Sequence, residues 1–189
     1  MFKKIIGNKP AAYFMYGAPG CGKSTFIADN LQGFTVVSLD AERAPFHAQG
    51  KDCHKDRAVK SQVWENVLTK LNAAIKERQP IVVDNTNIFS NIRNQFLKPL
   101  VNAGYAVIFV CFKVSLKTCI ARNEPRVGFE KVPENAIVEM HKNLVDPAIL
   151  LDLPGVVSVY VVDDQGNISS TISITSVYGE PTGLTEDEL

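Results

Sequence analysis

Residues 17–24 read Gly17-Ala18-Pro19-Gly20-Cys21-Gly22-Lys23-Ser24, which satisfies G-x-x-x-x-G-K-[ST] at every position. The glycines let the backbone curl so that its N–H groups turn toward a polyphosphate. Lys23 has the reach for the terminal phosphates, and the Ser24 hydroxyl suits Mg²⁺. A helix starting at Lys23 adds the positive end of its dipole. The flanks supply the setting that such a loop requires. Ala11-Ala12-Tyr13-Phe14-Met15-Tyr16 is a short apolar strand before it. Thr25-Phe26-Ile27-Ala28-Asp29-Asn30-Leu31 follows with apolar positions at helical spacing, and Gly33 is a stop signal. Strand, loop and helix in that order define a phosphate-binding loop. Thr25 stands where a dinucleotide-binding fingerprint needs its third glycine, which excludes that alternative at this loop.

Working outward, strands and helices alternate. Phe34-Thr35-Val36-Val37-Ser38-Leu39 reads as a β-branched strand ending at Asp40, and residues 41–56 as a short helix and a mobile loop. Val59, Val63, Val67, Leu71 and Ile75 recur every four residues, widened by Trp64 and Leu68. They predict a long amphipathic helix over 57–79, ended by Pro80. Ile81-Val82-Val83 is a short buried strand with Asp84 at its C-terminal end. Ser90 suits the cap of a helix reaching Ala103, with Pro99 inside it and Gly104 as its stop. Tyr105 to Phe112 is a continuous apolar strand, and Ser115 caps a helix to about Asn123. The polar, glycine-containing stretch 124–132 is a candidate lid, and Pro133 opens a helix to about Val145. Residues 156–162 form a last core strand, with 168–177 as its hairpin partner and a loose acidic tail over 179–189. Such alternation predicts an α/β fold: a mostly parallel sheet with helices on both faces. In these folds ligands sit beyond the carboxyl ends of the strands. The phosphate loop, Asp40 and Asp84 all follow strand ends.

Composition narrows the class. At 189 residues the chain reads as one α/β domain with a real core. No apolar run approaches the roughly 18 residues of a membrane span, and polar residues interrupt the N-terminus before a signal-peptide core can form. The four cysteines, Cys21, Cys53, Cys111 and Cys119, have no paired spacing, which suggests reduced thiols and a cytoplasmic protein. Cys53-His54 beside His47 lacks a second pair at zinc spacing. A formal net charge of zero argues against an extended nucleic-acid track, though not against a small basic pocket for one strand end.

A phosphate loop does not name an acceptor, but two residues do suggest one. Arg43 stands one helical turn after Asp40, on the same face. A carboxylate there can take a proton from a hydroxyl, and the arginine can hold a neighbouring phosphate. The plainer alternative is a helix-capping Asp40 with a solvated Arg43. Asp84 reads either as a metal- or water-organising carboxylate or as a turn cap. Arg122 is either a lid cation or a helix-end residue favoured by the dipole. Trp64 can stack a base, but its place on the apolar stripe favours core burial.

Four elements in this order carry a family resemblance: Gly17-x-x-x-x-Gly22-Lys23-Ser24-Thr25, Asp40-x-x-Arg43, Val83-Asp84-Asn85-Thr86-Asn87 and Arg122-Asn123-x-x-Arg126-x-Gly128. From about Ala11 to Leu144 the chain resembles the 5′-hydroxyl kinase domain of phage-type polynucleotide kinases. The resemblance implies a P-loop kinase fold, with ATP and Mg²⁺ bound at the loop. It implies that Lys23 binds the β/γ-phosphates and Ser24 the phosphate–metal unit. Asp40 would act as general base toward a 5′-hydroxyl of DNA or RNA, and Arg43 would hold the acceptor strand's phosphate. Arg126 in the lid would stabilise the transferring phosphoryl group. Read from the residues themselves, Asp84, Thr86 and Asn87 are candidates for the acceptor side, with Thr86 and Asn87 either bracing the acceptor pocket or serving as ordinary loop residues. A small-molecule kinase of the same fold, acting on a sugar, nucleoside or antibiotic hydroxyl, is the second expectation. A nucleotide-dependent switch is the third, and the Asp40/Arg43 pair argues against it.

Overall fold

The computed structural model describes residues 2–53 and 55–173. The expectations placed on His54, on residues 174–177 of the last strand and on the acidic tail lie outside the described residues.

The described elements are β1 (Ile5–Ile6), β2 (Lys9–Tyr16), α1 (Lys23–Asn30), β3 (Thr35–Val37), α2 (Leu39–Ala48), α3 (Arg57–Lys76) and β4 (Ile81–Val83). They continue with α4 (Ser90–Asn102), β5 (Ala106–Phe112), α5 (Leu116–Asn123), α6 (Glu134–Lys142), β6 (Val156–Val162) and β7 (Ile168–Ser173). Short 3₁₀ turns occupy Gly128–Glu130 and Pro147–Asp152. The strand order is β3-β4-β2-β5-β6-β7, with β1 pairing β2 off this path. The four pairings from β3 to β6 are parallel, and β7 returns antiparallel on β6. The mostly parallel sheet expected from the alternation is therefore present.

β2 lies at the centre because its residues are apolar on both faces. Ala12, Phe14 and Tyr16 pack on one side with Val63, Val67 and Leu71 of α3 and Phe96, Leu97 and Leu100 of α4. Ala11, Tyr13 and Met15 pack on the other with Phe26 and Ile27 of α1, Cys119 of α5 and Ile137 of α6. A strand buried on both faces reads as a continuous apolar run, which is how residues 11–16 read. Its register with β4 (Phe14 opposite Val83) and β5 (Tyr16 opposite Cys111) brings three strand ends to one edge. The phosphate loop and the Asp84 loop spring from that edge.

Local chemistry sets the boundaries. Ser115 caps α5 by accepting from the Thr118 N–H at 3.1 Å, as its position predicts. Asp56 caps α3 through the N–H groups of Ala58 (2.9 Å) and Val59 (3.2 Å). Pro99 leaves α4 unbroken. Phe89, rather than Ser90, occupies the cap position of that helix. Trp64 stacks on Phe96 with ring centroids 5.8 Å apart and packs against the core, on the side of the structural reading.

Three features depart from the sequence expectation. The strand expected over 34–39 stops at Val37, because the Ser38 hydroxyl accepts the Ala41 N–H and opens α2. Asp40 therefore sits in the first turn of a helix rather than at a strand's last residue. The N-terminus forms a hairpin, with Ile5 opposite Pro10 across Gly7 at φ +56°. The helix after Pro133 ends at Lys142, and 147–152 forms a 3₁₀ turn.

Candidate phosphoryl-transfer site

The loop takes its shape from close backbone contact. Gly20 has φ +83°, and a Cβ there would collide with the Cys119 carbonyl oxygen, so α5 is packed directly against the loop. Gly22 has φ +103° and is the N-cap of α1, whose first residue is Lys23. The Cys21 and Cys119 side chains wall the loop from inside. Burial pushes the Cys119 thiol up to about 11, with Cys21 adding to the shift, so it stays protonated and inert.

Lys23 arches back over the loop. Its ammonium donates to the carbonyls of Gly17 at 3.1 Å and Ala18 at 3.0 Å. Ala18, Gly20 and Cys21 are buried and Pro19 is half-buried, while Ser24 and Thr25 lie exposed at the start of α1. This is a glycine-turned loop leading into a helix N-terminus, a setting suited to phosphate oxygens.

The Asp84 loop is tied to the phosphate loop. The Gly17 N–H donates to the Thr86 carbonyl at 3.2 Å, and the Asp84 N–H donates to the Val37 carbonyl at 2.9 Å. Burial raises the Asp84 pKa above the usual carboxylate range; Lys23 opposes that rise and Asp40 adds to it. Asn87 braces the loop from beneath rather than facing solvent. It is 1 % exposed, has φ +52°, and its amide N–H₂ donates to the carbonyls of Met15, Val83 and Asn85. The Asn85 side-chain oxygen accepts the Leu39 N–H at 3.1 Å, fastening the start of α2 to the same loop.

On α2, the Arg43 guanidinium donates to the Asp40 carboxylate at 2.6 Å. The Asp40 side chain is 84 % exposed. An exposed pair of this kind contributes only about 0.2–1 kcal/mol. Folding stability thus gives little reason for the pair, whose helix is tied through Leu39 and Asn85 to the loop that follows β4.

The segment expected to act as a lid runs from the end of α5. The Asn123 side chain clasps its far end, donating to the Val132 carbonyl at 2.8 Å and accepting the Val132 N–H at 3.0 Å. At the lid's tip Phe129 stacks flat on His47 of α2, with ring centroids 3.9 Å apart and planes 12° apart. The structure separates the two lid arginines. Arg122 lies beside the loop, with its Nη1 3.7 Å from the point where a Cβ on Gly22 would stand. Its Nη2 donates to the Asp164 carbonyl at 2.6 Å. Arg126 is exposed on the lid and is held by its own N–H on the Asn123 carbonyl.

Several supporting residues escaped the sequence reading. Arg93 is 9 % exposed, and its Nη1 donates to the carbonyls of Asn87 (3.1 Å) and Ile88 (3.0 Å), pinning the end of the Asp84 loop. Burial lowers its pKa. A charge on the stripe that carries Phe96, Leu97 and Leu100 was the available signal. Asn85 and Asn123 lay inside quoted motifs, but no sequence signal gave them these partners. Among the described residues no cluster of three or more His, Cys, Asp or Glu could hold a metal by itself. One hydroxyl, one nearby carboxylate and the phosphates themselves fit Mg²⁺, which favours that mixed shell.

Fold and site together define a nucleotide-binding P-loop domain of the kinase type. The chain belongs to the family described as AAA domain, which matches residues 13–147. No curated protein sequence matches it significantly. Solved structures share the fold. A chain from the PezAT toxin–antitoxin system of Streptococcus pneumoniae superposes with a TM-score of 0.63 at 16 % identity, covering 97 % of this chain and 84 % of that one. A candidate kinase from Chloroflexus aurantiacus gives 0.60 at 18 % identity, with 82 % and 85 % covered. A chain of the Pnkp1/Rnl/Hen1 RNA repair complex gives 0.56 at 21 % identity. It covers 94 % of this chain, which spans about half of that one (51 %). Among the described residues no helix is long and apolar enough to cross a membrane.

Proposed function

We propose that this protein is an ATP-dependent kinase acting on the 5′-hydroxyl of a nucleic-acid strand end. The observation that carries the proposal is the Asp40–Arg43 ion pair on α2, a helix whose start is fastened to the Asp84 loop by the Asn85 side chain. A nucleotide switch needs no such pair.

In this reading the loop amides and Lys23 hold the β- and γ-phosphates of ATP. Arg43 holds the acceptor's 3′-phosphate and so places its 5′-hydroxyl against Asp40. Asp40 accepts the hydroxyl proton as the oxygen attacks the γ-phosphorus. The bond from that phosphorus to the β–γ bridging oxygen breaks, and ADP leaves. Arg126, with Arg122 already beside the loop, meets the charge on the transferring group when the lid closes. Mg²⁺, bound through Ser24 with Asp84 organising its shell, would neutralise phosphate oxygens. Thr86 and Asn87 hold the acceptor side in register with the loop, and Asn87 does so from below.

The zero net charge favours a second reading, a small-molecule kinase of the same fold. One experiment separates the two. With γ-labelled ATP and Mg²⁺, a 5′-hydroxyl nucleoside bearing a 3′-phosphate is expected to react far better than the bare nucleoside. Arg43→Ala should erase that preference. The salt dependence of acceptor binding should correspond to roughly one to three phosphates. Equal rates with and without the 3′-phosphate, or transfer only to a sugar, overturn the strand-end reading in favour of the small-molecule one.

A further inference from the structure

Asp40, Arg43 and His47 are spaced i, i+3, i+7 along α2, a single stripe on the helix surface. The first two are the proposed base and phosphate anchor. His47 lies one turn beyond the anchor, about 6 Å further along the axis. Its ring is fixed from behind. Nδ1 lies 3.3 Å from the Lys51 carbonyl and 3.7 Å from the Cys53 sulfur, and Cys53 is itself buried and donates to the Arg43 carbonyl. One face of the ring is covered by Phe129, near-parallel at 3.9 Å.

Phe129 is not a core residue. It remains 60 % exposed at the lid's tip, and its neighbour Val127 is 79 % exposed. This segment therefore sets one apolar ring, Phe129, against α2 without burying it. Gly128, between Val127 and Phe129, has φ +58°, a conformation that an L-residue adopts only under strain. One wall of this arrangement is fixed and flat, and the other rides on a segment held at its base by Asn123.

We propose that His47 and Phe129 form a stacking slot for a nucleobase of the acceptor, the one that follows the phosphate held by Arg43. The base lies on the His47 ring, and Phe129 closes over it in place of the direct ring–ring contact. The stripe then reads hydroxyl, phosphate and base in the order in which a strand presents them. Stacking tolerates any base, since each has a π-face, so the slot recognises that a second nucleotide is present rather than which one. The inference rests on the strand-end reading and extends it by one nucleotide. It adds no cation, in keeping with the neutral chain.

The test compares two acceptors on the full chain: a 5′-hydroxyl dinucleotide with both bases, and the same molecule with an abasic second sugar. For the wild type, the KM of the complete acceptor should be about 5- to 100-fold lower, the range that one base–aromatic stack supplies. Phe129→Ala and His47→Ala should abolish the difference by weakening only the complete acceptor, with ATP affinity and Tm unchanged. Phe129→Trp should preserve it. Equal wild-type KM values overturn the slot, and so does a Phe129→Ala loss of the same size on both acceptors, which would make the ring pair a lid latch only. Failure of the strand-end reading looks different: the wild type transfers phosphate to neither acceptor, and the slot falls with it.

Discussion

The two ends of the site are built from different materials. The nucleotide end is backbone: buried loop carbonyls and amides, glycines at positive φ, and α5 pressed so closely that Gly20 has no room for a side chain. The end proposed for the acceptor is side chain: Asp40, Arg43 and His47 on one partly exposed stripe of α2, and Phe129 and Arg126 exposed on the segment 124–132. A backbone cradle fits one kind of ligand and tolerates little substitution. An exposed stripe is free to change its residues without disturbing the core. The fold thereby keeps the donor constant while leaving the acceptor adjustable, and the two ends should respond to mutation differently.

The sharpest break is expected at Gly20. Gly20→Ala combines a left-handed backbone with a collision against backbone, costs that together amount to about 2–5 kcal/mol. It should lower Tm by at least about 5 °C and remove ATP binding. A Tm within error of wild type would mean that α5 is free to move away from the loop. Lys23→Ala should abolish phosphoryl transfer while leaving a folded protein, because its ammonium bonds only loop carbonyls and the Cys21 sulfur. Near-normal turnover in that variant would take the nucleotide away from this loop.

Across the site, Asp40→Asn should reduce turnover by about 10²–10⁴ with ATP affinity nearly unchanged. A collapse of ATP affinity would move Asp40 to the donor side and erase the division drawn here. Arg126→Ala should lower kcat by more than it weakens ATP binding, since an exposed lid arginine meets the phosphoryl group only on closure. Arg122→Ala, beside the resting loop, should weaken ATP binding as well. Matching effects from the two variants would contradict their separation in the structure.

The smallest effect concerns stability. Burial holds the Asp84 pKa above its value in an unfolded chain, so its ionisation disfavours folding. That cost is fully present above the raised pKa and disappears as pH falls through it toward the unfolded value. Asp84→Asn should accordingly melt slightly higher than wild type at pH 7, with the gap closing on acidification to about pH 4. It should still lose activity, as residues held at a functional site against stability do. A lower Tm at pH 7 would show that the attraction of Lys23 outweighs burial.

How much of this was legible beforehand follows the same division. The loop, its strand and its helix are local patterns, and Lys23 begins α1 as the motif requires. The alternation of strands and helices, and the attachment of the Asp84 loop beside the phosphate loop, follow from strand-end rules, whereas Asp40 turned out to lie within α2. Contacts between distant segments were not readable. The place of Arg93 on an apolar stripe hints that it turns inward, but nothing in residues 89–97 names its two carbonyl partners, and nothing near Phe129 names His47. Ser38 had the composition of a cap but lay at the end of a β-branched run, and the strand pattern masked it. The hairpin at Ile5 was missed because a two-residue strand has no periodicity to read.

The central position of β2 also governs when this protein can come into being. Beyond the two-residue β1, its pairing partners are β4 and β5, which begin at Ile81 and Ala106. During synthesis the earliest core strand therefore emerges with neither neighbour, and must wait while most of the chain is made. Contacts of such separation make folding slow and leave an apolar segment uncovered in the interval. The phosphate loop hangs from that strand, so it takes its shape only after Phe112 has emerged. ATP can stabilise the finished domain, but it offers no foothold to a nascent one.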